Sequence, residues 1–75
     1  MKDLVEFIAR ELVQEPERIV VSSRRTGSNL HLAIHAAGDD LGRLIGRQGR
    51  TAEAIRILAR VAGARKGLKV TVDIE

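Results

Sequence analysis

At 75 residues, with 44% hydrophobic side chains, no cysteine and a formal net charge of +3, the chain has material for one domain around one modest core. Disulfide frameworks and thiolate metal sites are excluded, and no run nears the ~20 apolar residues of a membrane span. Met1-Lys2-Asp3 leads directly into an amphipathic pattern with no continuous apolar segment or cleavage pattern, so a cytoplasmic protein is expected.

Along the chain, Asp3 and Glu6 resemble a capping box, and Leu4, Ile8 and Leu12 recur at helical spacing. Val5, Ala9 and Val13 widen this apolar stripe, Phe7 flanks it, and Pro16 should stop the helix near Gln14. Ile19-Val20-Val21 reads as a short strand, and Thr26-Gly27-Ser28-Asn29 is a turn cluster. Leu30, Leu32, Ile34 and Ala36 then alternate with His31, Ala33 and His35, a half-buried strand that should close a hairpin. Gly38-Asp39-Asp40 breaks this strand, and either aspartate can cap a short helix over Leu41 to Ile45. A longer helix should begin near Gly49 or Arg50 and run to about Ala62, with Ile55, Leu58 and Ala62 inward and Gly63 as its stop. Leu68, Val70, Val72 and Ile74 alternate strictly with Lys69, Thr71 and Asp73, a final strand. The order is α-β-β-α-α-β, an α+β domain over residues 1–75 with three helices on one face of a three-stranded sheet.

Charge is unevenly distributed over this frame. Residues 1–40 carry five Lys/Arg against seven Asp/Glu, a balance of −2; residues 41–75 carry eight against three, a balance of +5. From Arg43 to Lys66 there are seven basic residues and one acid, Glu53. One basic half on a near-neutral chain fits a polyanion partner met by one face, or a solvated helix surface.

The segment Leu44-Ile45-Gly46-Arg47-Gln48-Gly49-Arg50 carries the most information. Two glycines three apart, between a helix end and a helix start, permit a tight turn with backbone angles that other residues resist. They also let a ligand's backbone come close. The first N–H groups of the following helix lack intrahelical partners and, with the helix dipole, favour an anion. Arg47 and Gln48 stand at the tip, with Arg43 and Arg50 on either side. On spacing alone, a connector that merely needs glycine fits as well.

Leu44-Ile45-Gly46-Arg47-Gln48-Gly49, followed by Ala52 and Ile55, resembles the KH-domain signature. The α-β-β-α-α-β order is similar to the type II arrangement. Leu4-Val5-Glu6-Phe7-Ile8-Ala9, Leu12-Val13 before Pro16, and Gly49-Arg50 through Ala54-Ile55-Arg56 extend the likeness over the whole chain, to the small bacterial single-KH KhpA family. The resemblance implies a non-enzymatic binder of single-stranded RNA, acting as post-transcriptional regulator or RNA chaperone. Its loop would clamp the backbone of about four unpaired nucleotides. Carried over by position, the RNA-binding residues are Arg43, Ile45, Gly46, Arg47, Gln48, Gly49 and Arg50. The resemblance further implies a homodimer, or a heterodimer with a second KH-containing protein of the KhpB (Jag) type, and a link to envelope growth and division. A protein-interaction module and a ribosome-maturation factor are the alternative readings.

Without tryptophan or tyrosine, base stacking on aromatic platforms is not available. No catalytic constellation, cofactor motif or metal site is legible. His31 and His35 share a strand face but stand ~13 Å apart, too far to chelate one ion. Ser22-Ser23 lacks a partner base, and no lysine-serine/threonine pair follows the glycines to make a P-loop. Arg56 and Arg60, four apart, share one helix face that extends an RNA track or simply solvates the helix. Arg65-Lys66 is a basic groove edge or an exposed turn, and Arg24-Arg25 beside the hairpin is read as solvent-exposed.

Overall fold

Alternation of apolar residues in two segments creates the sheet on which everything else rests. The computed structural model describes residues 1–75. Strands β1 (Val20–Thr26), β2 (Asn29–His35) and β3 (Lys69–Ile74) form one sheet in the order β1-β2-β3. The β1–β2 hairpin is antiparallel and β2–β3 is parallel. Val21, Leu32, Ile34, Val70 and Val72 point to one face and are buried; Ser22, Arg24, Thr71 and Asp73 point to the other and are exposed. A parallel β2–β3 pair requires a crossover, and α2 (Asp40–Ile45) and α3 (Arg50–Ala64) supply it. With α1 (Lys2–Leu12), the order is α-β-β-α-α-β, as expected.

The core sits between the inner sheet face and the helices: Val5 and Ala9 of α1, Leu44 of α2, Ile55 and Ala59 of α3, with Ile19 and the strand residues. Burying a side chain of this size contributes about 1.5–3 kcal/mol. The inward faces differ from the expected ones. Leu4 and Leu12 are 40% and 42% exposed, while Val5 and Ala9 are buried. On α3, Leu58 is 52% exposed, and Ala52, Ile55, Ala59 and Gly63 line the inner face. The small residues win because they let the helix axis approach the sheet. Gly63 shows this directly, since a Cβ there would lie 2.3 Å from Val70 Cγ2.

Three boundaries also depart from expectation. Gly63 does not stop α3; it is needed for packing, and the chain turns at Gly67, with φ 72°. The first strand continues through Ser22-Ser23-Arg24-Arg25 to Thr26, because β2 offers a backbone partner at every position from Val20↔His35 to Thr26↔Asn29. Asp3 and Glu6 form no capping box, because the helix starts earlier: Val5 N–H donates to Met1 O, and Met1 packs on the core. Glu6 pairs instead with Arg10 at 2.9 Å.

Candidate nucleic-acid interface

The turn from α2 into α3 is built by residues in left-handed backbone conformations. Gly46 has φ 75°, Gln48 φ 57° and Gly49 φ 74°, and Arg47–Gly49 form one 3₁₀ turn between them. Such angles cost a non-glycine residue roughly 1–2 kcal/mol, so Gln48 is the one strained position. The two glycines are required for different reasons. At Gly46 a Cβ would lie 2.2 Å from Thr51 Oγ1 and 2.9 Å from Thr51 N, so its bare Cα packs on the second residue of α3. At Gly49 nothing stands within 4 Å, and only the backbone angle demands glycine. Gly46 N–H donates to Gly42 O at 2.9 Å, which anchors the loop to α2.

This turn brings Ile45, Arg47, Gln48 and Arg50 to the surface around the start of α3. Ile45 is 40% exposed beside the fully buried Leu44, so it offers apolar surface next to the loop. The five ion pairs of the protein leave Arg47 and Arg50 uncommitted. Two free guanidinium groups stand at the start of a 15-residue helix, whose dipole favours an anion there, although its first N–H, that of Arg50, is donated to Arg47 O.

Arg43 is not brought to this group. Its Nη1 donates to Asp40 Oδ1 at 3.0 Å, and it lines a cleft of about 150 Å³ with Gln14, Glu15, Arg18 and Asp40. The reason is helical spacing: Asp40 and Arg43 are three apart on α2 and meet on the side turned toward the α1–β1 connection. Asp40 is the buried charge in the fold, 4% exposed. Neither aspartate caps α2 with its side chain. The Asp40 carboxylate instead accepts Gln14 N–H at 3.1 Å and Glu15 N–H at 3.0 Å. The Gln14 bond, then the Glu15 bond and the charge of Arg43, hold its pKa below the ordinary 3.8, against the opposing effect of burial.

Arg56 has a more definite place than sequence could assign. Its Nε donates to Val72 O at 3.0 Å on the outer edge of β3. Arg56, Arg60, Val70, Thr71 and Val72 line a cleft of about 220 Å³ between α3 and that edge. The signal was the i, i+4 arginine pair; the parallel placement of β3 as the edge strand supplied the rest. The two histidines go elsewhere, to the outer sheet face. His31 lies 2.7 Å from Thr71 Oγ1 and 3.2 Å from Asp73 Oδ2, and His35 lies 3.1 Å from Glu75 Oε1.

Comparison with known proteins gives these features a family. The model of the KhpA/KhpB KH domain matches residues 2–74. RNA-binding protein KhpA of Halalkalibacterium halodurans is 42% identical over 74 residues, covering 99% of this chain and 97% of that protein. The Clostridium perfringens protein of the same name is 39% identical, covering 99% of both chains, and that of Chlamydia caviae is 32% identical, covering 99% and 95%. With an α-β-β-α-α-β fold, a parallel β2–β3 pair and a glycine-bounded turn between its central helices, the chain belongs to the KhpA/KhpB family of KH domains.

Proposed function

We propose that this protein binds single-stranded RNA, with the Gly46–Gly49 loop holding the sugar-phosphate backbone. The observation that carries this reading is the loop itself. A turn with three left-handed residues delivers the unpaired Arg47, Gln48 and Arg50 to the start of α3. Relatives at up to 42% identity are named RNA-binding proteins, which supports the same partner. Ile45 and the cleft between α3 and β3 offer apolar contacts and hydrogen-bonding groups for bases, so aromatic stacking is not needed. Phosphate contacts carry no sequence information, so one such domain binds with loose base preference. Arg43 contributes through the Asp40 pair that steadies α2, not as a direct phosphate contact.

Useful affinity then comes from pairing two domains. Exposed Ile57, Leu58 and Val61 on α3 and Phe7 on α1 (64% exposed) are apolar surface suited to a second copy or another KH-containing chain of the KhpB type. A cytoplasmic RNA chaperone or post-transcriptional regulator, acting in envelope growth and division, is the corresponding role. No helix is long and apolar enough to cross a membrane.

The test is the double variant Arg47→Asp/Gln48→Asp, measured by fluorescence anisotropy with a short unstructured RNA. Both side chains are exposed, so the fold should persist while two negative charges face the phosphates. The expected result is loss of binding with an unchanged thermal melt. Binding at wild-type affinity by the folded variant contradicts the loop assignment.

A further inference from the structure

Arg24 and Arg25, read from sequence as ordinary hairpin residues, have unexpected company in the fold. Lys69 N–H donates to Ser28 O at 2.8 Å, which ties the α3–β3 turn to the β1–β2 turn. Thr26, Asn29 and Lys69 lie in one row across the three strands, and Arg24, His31 and Thr71 in another. Arg24 and Lys69 therefore share the outer sheet face, about 12 Å apart between Cα atoms from strand spacing and rise. Arg65 and Lys66 stand in the adjoining turn. Arg25 is held at the hairpin by its Nε–H bond to Gly27 O at 3.0 Å.

Five basic side chains from segments some forty residues apart thus stand at one end of the sheet, Arg24 and Lys69 on its outer face and Arg25, by alternation from Val21, on the helix-side face. All are exposed, and none takes part in an ion pair. Asp73, the acid closest along β3, is engaged with His31. Basic side chains on an edge strand can serve simply to discourage strand pairing. That accounts for Arg24, Arg25 and Lys69, which lie on the two edge strands, but not for Arg65 and Lys66 in the α3–β3 turn. The cluster also continues a path. From Arg47 and Arg50, α3 runs about 22 Å to Ala64, with Arg56 and Arg60 along its β3 side, and it ends at Arg65-Lys66.

We propose that this end of the sheet is a second phosphate-binding surface, which takes RNA backbone beyond the nucleotides held at the Gly46–Gly49 loop. The proposal rests on that loop reading. A KH groove holds about four nucleotides, so RNAs of about five and about twelve nucleotides separate the two surfaces. The experiment compares both lengths on wild type and on Arg24→Gln/Arg25→Gln/Lys69→Gln. All three residues lie outside the core, and a thermal melt establishes the fold. Work at about 0.15 M salt keeps a distant charge change from acting across the molecule, since the Debye length is then about 8 Å.

In wild type the longer RNA should bind more tightly than extra binding registers alone explain. The triple variant should lose that excess, roughly tenfold, while its affinity for the short RNA stays at the wild-type value. Its salt slope on the long RNA should fall by about two, at ~0.7 per phosphate contact on a single strand. Equal losses on both lengths, or no loss on either, overturn the proposal. So does a polyglutamate chain that binds wild type more tightly than the long RNA does and loses that affinity in the variant, because the surface would then belong to an acidic protein segment. Short-RNA binding that survives Arg47→Asp/Gln48→Asp tells against the loop itself, which the triple variant does not touch.

Discussion

Gly46 and Gly49 bound the same turn, yet the structure asks different things of them. Gly46 needs both its left-handed angle and the missing Cβ, whose place is taken by Thr51; Gly49 needs only the angle. Gly46→Ala should therefore destabilise by about 2–4 kcal/mol, combining backbone strain with a forced shift of α3. Gly49→Ala should cost about 1–2 kcal/mol, the strain alone. Urea midpoints at constant m-value measure the difference, and equal costs would contradict the packing of Gly46 on Thr51. The glycine spacing was visible in the sequence, but its division into one steric and one conformational requirement was not. Thr51 carries no mark of the contact, and the left-handed Gln48 is an outlier that no propensity scale assigns. Arg43 is the position whose pairing the sequence left open. Proximity in sequence placed it with Arg47, whereas three-residue spacing from Asp40 turned it to the other side of α2.

At the scale of elements, Asp40 joins the end of α1 to the start of α2, and α2 ends at the loop. Because its folded pKa is depressed, its contribution is fully present above the ordinary value of 3.8 and is lost as pH falls below that value. Asp40→Asn should be less stable than wild type at neutral pH, since an amide has one acceptor where the carboxylate accepts two backbone N–H groups and a guanidinium. The gap should close progressively as pH drops below 3.8. Denaturant midpoints across that range check it, and a constant gap would remove the carboxylate's charge from the account. All the expected elements form, because long alternating or helical patterns and the Pro16 and Gly38 breaks are strong local signals. Which side of each helix faces inward was less legible. On α1 and α3, large apolar residues flank small ones, and hydrophobicity alone favours the large. Close approach to the sheet favours Ala9, Ala52, Ala59 and Gly63, a tertiary requirement that periodicity does not encode.

For the whole molecule, topology turns a one-dimensional charge bias into surfaces. In sequence, the basic half is residues 41–75, densest from Arg43 to Lys66. The fold divides it, tying Arg43 to Asp40, leaving Arg47 and Arg50 at the loop and carrying Lys69 to the sheet end, where Arg24 and Arg25 of the other half join it. The parallel β2–β3 pair is the decisive link, because it places β3 at the edge beside α3 and leaves the cleft of Arg56 and Arg60 open along it. The central claim, that RNA is held at the Gly46–Gly49 loop, is tested most directly by titrating a short unstructured RNA into the isotope-labelled protein and following every backbone amide by NMR. The account predicts the largest shifts at Ile45 through Thr51, with a second set at Val70 to Val72. Shifts confined to α1 or to the outer sheet face, with the loop amides unmoved at saturation, would contradict it.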